Sequence, residues 1–270
     1  MSLILTAAAL TAVDVEPAKL ATADAAPLDP GAWELALGGT WTTAGRGLDD
    51  AGSAQDRGGR LREAGMGIGL THGLVDGLDA GFAIGWSRIA DDASEPDHGS
   101  GSSDLELGAK WRCCQSASDD GAWAVALLPA LIVPLGRGQD AAAEIPTASR
   151  CWSAGLAAAA SGSCGILACN ADIGYCHAIG SEQDRDGYIG SIAADAALGL
   201  QVTDILQPEI ELNWARDRVE DGTAPWSLAV TAGVQIGLPI GRLGVGAQRV
   251  VDGAAVDVST TAIADLAIAF

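Results

Sequence analysis

The stretch Thr261-Ala262-Ile263-Ala264-Asp265-Leu266-Ala267-Ile268-Ala269-Phe270 alternates in a way that decides how the rest of the sequence is read. Side chains along a strand point to opposite faces in turn. Phe270, Ile268, Leu266, Ala264 and Ala262 therefore share one face, and Asp265, Ala267 and Ala269 share the other. The first face is continuously apolar, and the second accepts a charge. A short alternating run also suits a half-buried strand in a soluble sheet, so the neighbouring segments must decide.

They repeat the pattern. Alternation predicts strands near 32–43, 61–73, 77–90, 102–114, 121–135, 149–160, 164–177, 187–202, 204–217, 224–238, 241–250 and 255–270. In the first, Trp33, Leu35 and Leu37 oppose Glu34, Ala36 and Thr40. In the fourth, Leu105, Leu107, Ala109 and Trp111 oppose Asp104, Glu106, Lys110 and Arg112. In the ninth, Ile210, Leu212 and Trp214 oppose Glu209, Glu211 and Asn213. Strands of a soluble sheet average about five or six residues, whereas a tilted strand needs about 9–11 to cross a bilayer. The predicted strands have the second length. Their connections alternate too: long at about 44–60, 91–101, 136–148 and 179–186, and tight at Leu74-Val75-Asp76, Ser161-Gly162-Ser163, Thr203 and Pro239-Ile240. Long connections on one side and short turns on the other are the habit of transmembrane barrels. The expected fold is all-β: one closed, antiparallel, up-and-down transmembrane β-barrel of about twelve strands. Read this way, the terminal strand resembles the closing strand of a bacterial outer-membrane barrel. In that family Phe270, Ile268 and Leu266 would face lipid and form the signature read by the barrel-assembly machinery.

Composition agrees. A mean hydropathy of +0.23 coexists with a formal net charge of −20. Those two values are reconciled when apolar faces meet lipid and charges sit in loops and a wet interior. Thirty-six glycines suit turns and curved strands rather than helices. No uncharged apolar run reaches the roughly 18 residues of a membrane helix after the N-terminus. The acidic balance excludes the basic footprint of a nucleic-acid partner.

Residues 1–25 form a signal-like or disordered N-terminal segment, and 26–270 a single barrel domain. Leu3 to Val13 is a short apolar run, and Ala23-Asp24-Ala25 is a small-x-small cleavage pattern before Ala26. A basic n-region is missing, and Asp14, Glu16 and Lys19 interrupt the approach. Six cysteines, at 113, 114, 151, 164, 169 and 176, form no C-x-x-C pair, which speaks against zinc or thioredoxin chemistry. Small-residue packing is the expectation for most of them. No metal site and no cofactor is expected.

Within this frame, Ser102-Ser103-Asp104-Leu105-Glu106-Leu107-Gly108-Ala109-Lys110-Trp111-Arg112 resembles a motif of the outer-membrane protein family named for the meta pathway of phenol degradation. The P-A-x-x-x-P-x-G pattern that follows there is matched by Leu128-Pro129-Ala130-Leu131-Ile132-Val133-Pro134-Leu135-Gly136. Pro30-Gly31-Ala32-Trp33-Glu34-Leu35 and Glu209-Ile210-Glu211-Leu212-Asn213 are similar as well. The resemblance implies an outer-membrane channel or transporter for small molecules, hydrophobic or aromatic compounds among them. This chain departs from it in being Ala-rich and having two Phe and two Tyr, so that its eight Trp must supply any aromatic girdle.

Strand parity assigns the lumen. Glu34, Asp79, Glu106, Asp172, Asp195 and Glu209 fall on the polar face, with Glu211, Asn213 and Asp265. Glu63 and Asp104 join them, and the cations there are Lys110, Arg112 and Arg242. An acidic lumen favours cations or neutral polar solutes over anions. Interior charges can also pair and merely brace the wall, so a packed or narrow lumen is the expectation for a barrel this small. Lys110 and Arg112 are the natural partners of the acidic set.

Two other readings stay open at this point. A soluble barrel with inverted faces would hold a hydrophobic ligand inside. A barrel enzyme would need His beside Ser or paired carboxylates. His72 falls on the outward face, His98 in a connection, and His177 at a strand end beside Cys176. None makes a Ser/His arrangement, so no catalytic residue is expected. The G-x-G pieces Gly67/Gly69 and Gly244/Gly246 lie inside strands, where they relieve crowding and do not cradle a nucleotide. The expected partners are the lipid bilayer of the bacterial outer membrane, the assembly machinery and small-molecule solutes.

Overall fold

The alternating segments pair edge to edge into one antiparallel sheet that closes on itself. The computed structural model describes residues 20–95, 97–118, 121–136, 144–149, 151–180, 187–220 and 222–270. Its strands are β1 (Trp33–Leu48), β2 (Ala54–Val75), β3 (Leu78–Asp91), β4 (His98–Ser102), β5 (Leu105–Ser118), β6 (Gly121–Val133) and β7 (Trp152–Cys164). β8 (Leu167–Ile179), β9 (Tyr188–Leu200), β10 (Leu206–Val219), β11 (Trp226–Leu238), β12 (Gly241–Ala254) and β13 (Val256–Ala269) follow. β4 and β5 both pair with β3, β4 against its outer part and β5 against its start. They occupy one strand position, broken at Ser103-Asp104, so the barrel has twelve. The break has a local cause. Ser103 Oγ accepts from the Gly85 amide at 2.7 Å, and Asp104 turns inward to accept from the amides of Gly136 and Ser149 and from the Ser149 hydroxyl.

Closure runs through β1, which pairs with β2 on one side and β13 on the other. Phe270 seals the seam: its amide donates to Trp33 O at 2.9 Å, and the Trp33 amide donates back to Phe270 O at 2.9 Å. Every strand position thus has two neighbours, and the closed barrel exposes no long sheet edge.

The predicted strands are recovered with shifted ends. β2 runs for 22 residues, well beyond 61–73. The first connection is consequently only 49–53, because both strands continue past the expected loop as a paired ribbon. The turn between β12 and β13 is Ala255 alone, held at φ 55°, so one connection on the long-loop side is short.

The faces separate by polarity. Exposed apolar side chains stand outward along the strands, among them Met66, Trp111, Leu156, Ile173 and Ile210. Inward positions are buried and mostly polar or small, as with Glu34, Thr71, Asp79, Lys110, Glu211, Thr231 and Gln248. All eight Trp lie on the outward parity. Trp33, Trp111 and Trp123 sit in the half nearer the short turns, and Trp41, Trp86, Trp152, Trp214 and Trp226 in the half nearer the long connections. Trp33 and Trp41 share a strand, eight residues apart. At the usual rise and tilt that separates the two groups by roughly 20 Å along the barrel axis.

Candidate functional site: a lumen threaded by the N-terminal segment

The interior is crossed by the chain itself. Residues 20–28 run as an irregular segment, bent at 20–22 and again at Ala25, through the half of the barrel nearer the short turns, with Leu20, Thr22, Ala23, Asp24, Ala25 and Leu28 all buried. Residues 20–25 belong to the stretch expected to be signal-like or disordered, and 1–19 lie outside the described residues. The segment takes part in no strand ladder. It is held by side chains that the strands point inward.

Those contacts read its main chain. Glu211 on β10 accepts from the Leu20 amide and, at 2.9 Å, from that of Ala21. Asp172 on β8 accepts from Ala23 N at 2.8 Å, and Ser161 Oγ on β7 from Ala25 N at 2.8 Å. Asp79 on β3 accepts from Leu28 N at 3.0 Å. The bend at 20–22 turns consecutive amides onto the one Glu211 carboxylate, and beyond it amides 23 and 25 meet Asp172 and Ser161. Lys110 binds the other polarity: its Nζ lies 2.8 Å from Asp24 Oδ1 and 3.0 Å from Ala26 O. Both members of that ion pair are buried, at 5% and 0% side-chain exposure.

Shape matches as well. The Leu20 side chain lies over Gly233, Gly244 and Gly246, so that a Cβ on any of the three would collide with its methyl groups. A Cβ on Gly73 would strike the Asp29 carbonyl. Ala23 and Ala25 pack against inward Ala126 and Ala159, with Leu128 beside them. The G-x-G piece 244/246, expected to relieve crowding on a curved wall, is here the floor of a leucine seat.

On one side of the segment, residues 20–22 border a cavity of about 1700 Å³. Ala23 borders a second of about 190 Å³. The larger is lined near the short turns by Arg242 and Asp265, and toward the long connections by Ile89, Ile132 and Val250 together with Glu63, opposite Ile89, and Glu106, opposite Ile132. Asp172 and Asp195 stand directly opposite each other on β8 and β9 beside the smaller cavity. A belt of neutral polar groups continues from there. Asn213 donates to Asp195 at 2.9 Å, and its Oδ1 accepts from Thr231 at 2.7 Å and from Gln248 at 3.1 Å. Gln235 donates to Glu209 at 2.9 Å.

Of the side chains assigned to the lumen by parity, Glu34, Asp79, Lys110, Glu209, Glu211 and Arg242 are buried, Glu106, Asp172, Asp195, Asn213 and Asp265 are half-buried, and Arg112 lies at the short-turn end of the barrel. Their partners differ from the expectation. Lys110 binds Asp24 of the threaded segment, and Arg112 reaches Asp76 in a short turn at 2.7 Å. Asp24 is the residue that sequence reading missed as a partner.

His72 stacks outward on Trp33 at 4.1 Å, and His177 stands outward beside Tyr175 while Cys176 turns inward. His98 lies in the rim at 2.7 Å from Asp97. That hydrogen bond raises the His98 pKa and lowers that of Asp97, each above all through the other. The six cysteines are free thiols.

No family model matches the chain, and neither does any curated protein. Solved structures do. An outer membrane channel from Pseudomonas putida F1 is similar over 95% of this chain and 100% of that one, at a TM-score of 0.78 and 17% identity. The NanC porin is similar over 87% and 98%, at 0.52 and 8%. The beta domain of the Bordetella autotransporter BrkA is similar over 89% and 100%, at 0.50 and 14%. Identities this low establish the fold, that of an outer-membrane β-barrel.

Proposed function

We propose that the protein is a channel of the bacterial outer membrane that lets small molecules diffuse passively through its lumen. The observation that carries this is inverted polarity: a closed barrel with an apolar outer band between two groups of Trp, and carboxylates, amides and hydroxyls inside. A soluble barrel holding a hydrophobic ligand requires the opposite arrangement, since large exposed apolar surfaces mark a membrane or a partner. Likeness to a channel over nearly the whole chain supports the reading. An enzyme is disfavoured, because no histidine stands beside an interior Ser or carboxylate among the described residues.

The solute class follows from the lining. Acidic groups line both halves, and toward the long connections Glu63 and Glu106 stand among Ile89, Ile132 and Val250. Such a path suits small neutral or cationic compounds with an apolar part. Aromatic compounds, the cargo implied by resemblance to the phenol meta-pathway family, satisfy that description. The bilayer and, through the strand ending at Phe270, the assembly machinery are the expected partners.

The test combines membrane fractionation, gel migration of boiled and unboiled protein, and conductance in planar bilayers. Recovery in the outer membrane, faster migration unboiled and measurable conductance are expected. A soluble protein without a heat shift refutes the proposal.

A further inference from the structure

Residues 20–28 are seated mainly by groups that bind main chain, and another peptide able to take the same bent shape would meet the same groups. We infer that the barrel wall is a binding groove for a small-residue peptide, which the N-terminal segment occupies in cis and which a second peptide can occupy when that segment withdraws. The inference rests on the channel reading only for its effect on conductance, since the groove itself is a property of the wall.

Three features carry it. Recognition is mainly of the main chain: Glu211, Asp172, Ser161 and Asp79 accept amides at 20, 21, 23, 25 and 28, and Lys110 also takes the Ala26 carbonyl. Main-chain hydrogen bonds give affinity, and pockets for particular side chains give selectivity, a division of labour common to peptide-binding sites. Selectivity here comes from two places. The glycine floor at 233, 244 and 246 admits one leading aliphatic side chain, and Ala126 with Ala159 admits only small residues behind it. Finally, the occupant is separable. The twelve strand positions pair without it, so it can leave with the ladder intact.

The ligand is therefore a peptide with an aliphatic residue followed by small ones, carrying an acidic group for Lys110. Its binding competes with residues 20–28 and narrows the same path.

The experiment uses the full chain carrying Ala21→Pro and Ala23→Pro. These remove the Ala21 N–H accepted by Glu211 and the Ala23 N–H accepted by Asp172, keep the Leu20 N–H on Glu211, and leave the wall untouched. The probe is an acetylated, fluorescein-labelled peptide of sequence LATADAAPLD, matching residues 20–29. Fluorescence anisotropy in detergent should show saturable binding to this variant and little to the unaltered chain, whose groove is filled. A peptide with Pro at the two corresponding positions should bind roughly tenfold or more weakly for each charge-assisted hydrogen bond lost. Adding Gly246→Val, which fills the leucine seat from the wall side, should weaken the parent peptide similarly. Equal binding to all forms, or none to the variant, overturns the groove. Conductance is read separately: the variant should conduct more than the unaltered chain, and the parent peptide should reverse the gain. Binding without conductance in any form would refute the channel and leave the groove standing. Conductance without binding would do the reverse.

Discussion

Replacing Lys110 by Met separates the segment from the wall at its one buried ion pair. The ammonium lies 2.8 Å from Asp24 Oδ1 and 3.0 Å from Ala26 O, and neither charged side chain is more than 5% exposed. Removing one partner of a buried pair costs about 3–5 kcal/mol, because the other charge stays desolvated. A barrel strand could not escape that cost. The segment can, since it belongs to no ladder and Asp24 regains water by leaving. The cost therefore falls on the seating equilibrium, which should shift toward the withdrawn state by a factor of roughly 10² to several 10³. The outward face and the strand pairing are untouched, so the heat-shifted gel band should stay where it is. Single-channel recordings should show the open level far more often than in the unaltered chain. Asp24→Asn should act in the same direction, and the double variant should fall short of the sum, because the two changes break one interaction. Unchanged conductance in Lys110→Met would show that the segment does not obstruct the path. A large loss of the folded band with no conductance change would show that the pair braces the barrel instead.

Other expectations are independent of the segment. Glu106 and Glu209 replaced together by Gln should lower cation preference in reversal-potential measurements under a salt gradient, and an unchanged potential would remove them from the permeation path. Ile173 projects outward at 54% exposure near the middle of β8. Ile173→Arg should destabilise refolding into lipid by about 2–4 kcal/mol, as charges do at the midplane of a barrel's lipid face; a cost near zero in a urea titration would put that face in water. At the rim, Asp97 raises the His98 pKa above its ordinary value, with Glu144 adding and Arg88 opposing. A raised folded value means a contribution complete below the unfolded pKa and lost as pH rises through the folded one. NMR titration should find His98 charged at a higher pH than in Asp97→Asn, and identical midpoints would refute the pairing.

The wall was legible in the sequence because lipid and water impose a period of two on every strand. That pattern survives errors at strand ends: the long connection expected at 44–60 proved largely paired ribbon, yet every inward carboxylate kept its parity. The occupant of the lumen was not legible. Residues 20–28 carry no two-sided pattern, because they are surrounded on all sides and bonded through amides that every residue possesses. Ala23-Asp24-Ala25 satisfies a small-x-small cleavage rule for the same reason that it fits between Ala126 and Ala159: small residues suit both. Gly233, Gly244 and Gly246 looked like generic relief of curvature, since nothing local reveals that Leu20 lies over them. The break at Ser103-Asp104 was equally hidden. Asp104 reads as one more inward carboxylate until Gly136 and Ser149 are brought to it from a distant connection.

Charge balance ties obstruction to selectivity. The interior collects many carboxylates and few cations, and of its ion pairs among the described residues, that of Lys110 binds the segment rather than the wall. Glu211, Asp172 and Asp79 are satisfied by the segment's amides. A carboxylate left without donors in a low-dielectric wall must recruit water, a proton or a counter-ion. Withdrawal of residues 20–28 removes those amide donors together with Asp24, the one acidic group that leaves, and frees Lys110. The balance changes by one unit, but three carboxylates that were turned toward amides now face the path. Opening should therefore raise conductance and cation preference together, more strongly at low salt, where the Debye length exceeds the lumen radius. A channel that only widened would gain conductance with its selectivity unaltered, so the reversal potential of the Ala21→Pro/Ala23→Pro variant, which keeps every charged side chain, recorded at two salt concentrations, separates a stopper that masks the acidic wall from one that merely narrows it.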